Sequence, residues 1–175
     1  MDTVWAVGSG ANLLAGITTA SGATSRVTMS FAGGVGPFIL AADADQRGTV
    51  VVLVGNNRGQ SLYRWLNCRI QPVLNPEGRQ YGFDAGFAGN GTGVGCSKIK
   101  GATHRDLVGL NLESDYSSPT WTVKRTQIVI DGLRAHNGLV DRIAVRKGSP
   151  AAESANRVSC GDLTPEHGGA QIADN

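Results

Sequence analysis

The residues best placed to do chemistry in this sequence are two carboxylates two residues apart, Asp43 and Asp45, just ahead of Gln46-Arg47-Gly48. Closely spaced carboxylates on a turn supply oxygen ligands to a hard cation such as calcium. The same pair could serve as acid and base in glycan hydrolysis, where two carboxyls flank the scissile bond. Their placement on a single turn fits an ion loop better. Two later stretches hold comparable positions ahead of possible strands: Lys98-Ile99-Lys100-Gly101 running on to Asp106, and Asp162-Leu163-Thr164-Pro165-Glu166-His167.

Nucleophilic catalysis needs a base beside the nucleophile and a group that orients the base. His104, His136 and His167 each fall in a predicted turn or loop beside charged or Gly residues, which reads as exposed histidine. The chain contains no G-x-S-x-G elbow, and Gly33-Gly34-Val35-Gly36 and the Gly89–Gly95 stretch match neither phosphate-binding glycine pattern. The expectation is therefore that the chain is not an enzyme. Trp5, Trp65, Trp121 and Tyr63 could stack on sugars or peptides. Trp65 and Trp121 fall inside predicted strands, where core packing is the simpler role. Asn90-Gly91-Thr92 fits the N-glycosylation triplet, which matters only in a eukaryotic secretory host.

These residues need a scaffold, and composition bounds it. At 175 residues the chain has the length of a single domain, taken as 1–175. The 16 basic and 14 acidic side chains give a formal charge of +2 and are scattered, so no basic stripe is available for nucleic acid or an anionic membrane surface. Only 17% of residues are charged, while Gly occupies 25 positions, a profile of short strands joined by tight turns. The fold class expected is all-β with little helix. No apolar run is long enough for a membrane span. Met1-Asp2-Thr3-Val4-Trp5 lacks the pattern of a secretion signal, so export would imply a leader already removed.

Three stretches can be laid over one another. They run from Val4-Trp5-Ala6-Val7 to Asp45, from Val50–Val54 to Lys98, and from Leu107-Val108-Gly109-Leu110 to Asp162, with anchors Asp43, Lys98 and Asp162 standing 55 and 64 residues apart. Units of about this size suit a four-stranded antiparallel sheet, and the approximate boundaries are 2–48, 49–104 and 105–164 with a tail at 165–175. Period-two alternation at Gln127–Asp131 supports strands, and Gly55–Gly59, Asn75–Gly78, Asp131-Gly132 and Asn137-Gly138 supply turns. The Gly82–Gly95 segment reads as a long loop.

Over most of its length each unit resembles the FG-GAP or VCBS repeat of integrin-like β-propellers and secreted actinobacterial proteins. The likeness rests on a loop of the form D-x-D-G-D-G-x-x-D-L followed by a strand, which in the family binds calcium and leads into the next blade. Asp43-Ala44-Asp45-Gln46-Arg47-Gly48-Thr49-Val50 keeps two of the acidic positions, Lys98–Leu107 places cations at two ligand positions, and Asp162–His167 keeps one Asp with a Glu further on. The resemblance implies three blade-like antiparallel repeats in a β-propeller-like arrangement, with Asp43 and Asp45 as the residues that would hold calcium. A lysine at the second copy could instead pair with Asp106. Since propellers typically close with about four to eight blades, three repeats imply part of a larger propeller, a homo-oligomer, or a compact three-unit fold.

The overlay also bears on the cysteines. Cys68 and Cys96 stand where the first unit has Ser25 and Ala41, so both are missing together there, as a bridged pair would be. Cys160 matches Cys96 and is left without a partner. A Cys68–Cys96 disulfide is thus expected in an exported protein, the alternative being three buried free thiols. The function expected is a non-catalytic secreted or cell-envelope module that binds a protein or glycan through its loops. The alternatives are a structural piece of a larger β-propeller and, more distantly, a glycan hydrolase. No ligand-binding residue is identifiable from sequence.

Overall fold

The computed structural model describes residues 2–9, 12–30, 36–85, 92–113 and 117–171. Its organising element is the run Val50-Val51-Val52-Leu53-Val54, which forms the middle of strand β5 (Val50–Asn56). Successive strand residues point to opposite faces, so a run apolar at every position belongs to a sheet covered on both sides. That is what is seen. Val51 and Leu53 enter one core with Phe38, Leu62, Leu107 and Ile128, while Val52 and Val54 enter another with Leu13, Ala15, Ile17 and Ile39.

The central sheet is built from β4 (Phe38–Asp43), β5, β6 (Gly59–Leu66) and β7 (Arg69–Pro72), with β13 (Ala170–Gln171) beyond β4 and β8 (Gly82–Asp84) also pairing with β6. On one side lies an amino-terminal meander, β1 (Thr3–Ser9), β2 (Asn12–Thr18) and β3 (Thr24–Ser30). On the other lies a four-stranded sheet of β9 (Thr92–Ser97), β10 (Asp106–Glu113), β11 (Thr120–Asp131) and β12 (Arg134–Arg146). The outer face of that sheet buries Leu112, Val123 and Val145 under the short helix α1 (Pro150–Ser154), through Ala152 and Ala155. Ser149 caps α1 through its side chain and Pro150 opens it, as expected of a helix start.

All the sheet pairings are antiparallel, as expected, and the described residues form three stacked sheets with neither a closed barrel nor a ring of blades. The overlaid stretches Val4–Val7, Val50–Val54 and Leu107–Leu110 begin three meanders of the same order, β1-β2-β3, β5-β6-β7 and β10-β11-β12. The loops differ from the expectation. Asp43 pairs with Val50 and Ser97 with Asp106, so the first two anchor loops each close a hairpin within one sheet and do not lead to a new unit. The boundaries expected at 48/49 and 104/105 therefore fall inside sheets. The stretch expected as one long loop carries β8 and the start of β9 at its ends, and 86–91, including Asn90 and Gly91, lie outside the described residues. In the tail, Gln171 pairs with Phe38 of β4.

The disulfide also differs. Cys96 is bonded to Cys160, with Cα atoms 4.8 Å apart, and Cys68 is free and exposed. The expected Cys68–Cys96 pairing fails because Cys68 sits in a tight turn facing solvent. It is the second of two turn residues, Asn67 (φ 53°) and Cys68 (φ 57°), between β6 and β7. Positive φ at both central positions is the type I′ hairpin, which carries the thiol out to solvent.

Candidate functional site

The anchor loops do meet in space, at the end of the sheets where β4 and β9 finish. Asp45 closes its own turn: Oδ1 accepts from Arg47 N (2.9 Å) and Thr49 N (3.0 Å), and Oδ2 accepts from Thr49 Oγ1 (2.7 Å). Burial alone would raise this carboxyl, but the hydrogen bonds from Thr49 and Arg47 outweigh it and hold Asp45 well below the usual carboxylate range. Asp43 Oδ2 accepts from Gly48 N at 3.0 Å, and its Oδ1 is buried with no partner. Arg105, from the second loop, donates through Nε to Ala44 O (3.1 Å) and through Nη2 to Asp43 O (3.3 Å) and the Cys160 sulfur (3.0 Å), so one guanidinium ties all three anchor regions together.

Calcium takes six to eight oxygen ligands. Here three of the four carboxylate oxygens are engaged by the loop's own donors, and only Asp43 Oδ1 is left over. No group of three or more His, Cys, Asp or Glu among the described residues is placed to hold a metal ion. The donor set of Asp43 and Asp45 does not fit calcium. In the second loop, Asp106 pairs with His104 Nε2 (3.1 Å) and accepts from Gln127 Nε2 (2.7 Å), in place of the lysine pairing considered from sequence. Asp162 lies exposed in the tight turn between Cys160 and Leu163.

His104 brings together a constellation that sequence reading missed. Thr103 Oγ1 is 2.8 Å from its Nδ1, giving the order hydroxyl, imidazole, carboxylate with Asp106 on the far side. Arg47 Nη1 also lies 3.3 Å from Nδ1. Arginine is only a donor, so it competes for the lone pair that a general base would use on Thr103. Apart from Asp43 Oδ1, the polar groups named at this end engage one another around a cavity of about 180 Å³ lined by Asp45, Thr49, His104, Asp106 and Gln127. His136 sits exposed on β12, not in a turn, and His167 is exposed in the Thr164–Gly168 turn. Trp65 and Tyr63 pack against the core between the amino-terminal and central sheets, and Trp121 packs on the cluster beneath α1 with Lys147 Nζ 5.6 Å from its ring.

The opposite end of the sheets is different in kind. There, where β5 ends and β4, β6 and β9 begin, a cleft of about 370 Å³ is lined by Phe38, Asn56, Gln60, Thr92, Asn156, Arg157, Val158, Pro165 and Glu166 among others. Asn56 and Gln60 are the buried polar side chains of the described residues. The end of β5 fixes them: Asn56 Oδ1 accepts from Arg58 N (2.9 Å) and Gly59 N (3.3 Å), and Gln60 Nε2 donates to Asn56 O (3.0 Å). Asn156 follows α1 and donates from Nδ2 to Ala152 O (3.2 Å), but its Oδ1 is buried without a partner. An unpaired buried acceptor costs roughly 1–3 kcal/mol. The segment after α1 is held against this wall by Val94 N donating to Arg157 O (3.0 Å) and Ser159 N donating to Val94 O (2.9 Å).

Comparison with protein-family models, with curated proteins and with solved structures found no match in any of the three. No helix among the described residues is long and apolar enough to cross a membrane.

Proposed function

We propose that this chain is a non-catalytic binding module of the secreted or cell-envelope type, and that its ligand is an uncharged polar group, a glycan end, held in the amide-lined cleft. The observation that carries this reading is the buried, unpartnered Oδ1 of Asn156 on the cleft wall. A modest rotation of that amide would let a hydroxyl donor satisfy it. Amides both donate and accept, which suits hydroxyl-rich ligands, and Arg157 with Glu166 leaves the charged lining balanced. Apolar surface from Phe38, Val158 and Pro165 beside these polar groups matches the usual make-up of a small-ligand site, and the volume lies within the range of about 300–1,000 Å³. The Cys96–Cys160 disulfide is compatible with an oxidising compartment.

The test is a glycan array probed with the wild-type chain and with Arg157→Ala and Glu166→Ala, both at exposed positions, with circular dichroism checking that each variant is folded. Selective retention of one glycan class, weakened roughly tenfold or more by either variant, supports the reading. Absence of glycan binding, or binding indifferent to both variants, removes it. A second reading, a structural piece of a larger β-propeller of the FG-GAP or VCBS kind, draws support from the three meanders of common order. In that case the cleft would stay empty, and the chain would associate with further repeats.

A further inference from the structure

The three meanders differ in one respect. Beside β5 stands β4 and beside β10 stands β9, each antiparallel to it, whereas the corresponding edge of β1 is hydrogen-bonded to no strand among the described residues, although β4 and β13 of the facing sheet pack close to β1. Exposed edges pair with other chains unless charge, proline, a bulge or shortness prevents it. The other edges carry such protection. β3 bears Arg26, β7 bears Arg69 and Pro72, and β12 bears Arg134, Asp141, Arg142 and Arg146. β13 and β8 are two and three residues long, and the free side of β9 is bridged by the 157–159 segment. β1 is seven residues, Thr-Val-Trp-Ala-Val-Gly-Ser, with neither charge nor proline, in unbroken register with β2.

We propose that the β1 edge is an interface for a second copy of this chain, β1 pairing antiparallel with β1 about a two-fold axis at Ala6. That register uses the whole strand, and it is complementary in size. Val4 and Ala6 pack toward the core, so by alternation Trp5 and Val7 lie on the outer face. In the proposed pairing Ala6 meets Ala6, Val4 meets Gly8, and Trp5 meets Val7 of the other copy. The last is an aromatic with β-branched pair, of the kind that stabilises sheets. It also accounts for Val7, the most exposed large apolar side chain among the described residues at 62%. Trp5 does not obstruct the edge. Its ring lies back over Gly16 of β2, where an added Cβ would come within 2.5 Å of Cζ2, and its Nε1 donates to Thr18 Oγ1 at 3.1 Å. With no charge on the strand, the axis brings no like charges together. The second copy would fill beside β1 the place that β4 fills beside β5, making one continuous six-stranded sheet.

The experiment uses the full chain carrying Cys68→Ser, so that the exposed thiol cannot link copies. Sedimentation velocity across a concentration series should show a reversible dimer, and Val7→Asp should raise its dissociation constant roughly tenfold or more. Circular dichroism and the melting temperature of the Val7→Asp monomer should be unchanged, since the position is exposed. Ala6→Cys places two Cα atoms roughly 4.5–5.5 Å apart across the axis, within disulfide reach, so mild oxidation should give a covalent dimer that Val7→Asp suppresses. A chain monomeric at every concentration, a dimer indifferent to Val7→Asp, or failure of Ala6→Cys to cross-link would each overturn the proposal. None of these outcomes decides whether the amide-lined cleft binds a glycan.

Discussion

Removing the disulfide with Cys96→Ala and Cys160→Ala tests both the pairing and its role in holding the carboxy-terminal segment. The bridge spans 64 residues of sequence. In the chain-entropy account a closed loop of that length removes enough freedom from the unfolded chain to be worth about 4 kcal/mol at 25 °C. For a chain of this size each kcal/mol moves the melting temperature by about 2–4 °C, so the double variant should melt roughly 8–16 °C lower. Cys160 is 4% exposed, and alanine there adds no polar group to the interior. The loss also frees the segment after α1 that lines the cleft, so opening should be local first. Thermal melts under non-reducing conditions supply the assay, with Cys68→Ser as control. Because Cys68 is exposed and unbonded, that control should melt with the wild type. A double variant within about 2 °C of wild type, or a Cys68→Ser variant showing the large drop instead, would refute the reasoning.

Cys68→Gly should stabilise the chain by about 1 kcal/mol, because Asn-Gly is the preferred pair for the type I′ turn that Cys68 now occupies at φ 57°; chemical denaturation reads the change directly. Acid should weaken the fold in a defined window. Hydrogen bonding from the Arg125 guanidinium, at 2.8 and 2.5 Å, lowers the Asp141 carboxyl, and Asp45 is lowered as well. A depressed folded-state value means that the stability is fully present above the ordinary carboxylate range near pH 4 and is lost as pH falls toward the folded values. Melts between neutral and strongly acid pH should therefore drop in that lower range, with a smaller drop in Asp141→Asn. Calcium or a chelator should leave the melting temperature unchanged, since the Asp43 and Asp45 turn is closed by its own donors; a rise with calcium that Asp45→Asn abolishes would contradict the account of that loop.

Strand content was legible because its signals are local. The Val50–Val54 run and the alternation at Gln127–Asp131 each declare a strand within a few residues. Val4, Val50 and Leu107 each open a three-stranded antiparallel run, where the expectation was four strands to a unit. What failed depended on events between segments or on backbone geometry without a residue signature. The turn at Cys68 has no Gly to mark it, and Asn67 before it is the one cue to positive φ. The anchor loops were compared as parallel copies, and that comparison hid their contact: Arg47 of one meets His104 of the next, and Arg105 reaches back to Asp43. The cleft was invisible because Phe38, Asn56, Thr92, Asn156 and Glu166 come from five separate parts of the chain. Only Asn56, in a Gly-Asn-Asn turn after a buried strand, stood out locally, and it stood out as a turn residue.

If the amide-lined cleft holds the proposed ligand and the anchor loops do not, the two ends of the sheets should respond differently to it. Titration of isotope-labelled protein with the glycan selected on the array, followed by amide chemical shifts, separates the two ends of the sheets. Shifts are expected at Asn56, Gln60, Asn156 and Arg157, including the side-chain amide of Asn156, with Asp45, His104 and Asp106 unmoved. Shifts confined to Asp45, His104 and Asp106 would contradict it.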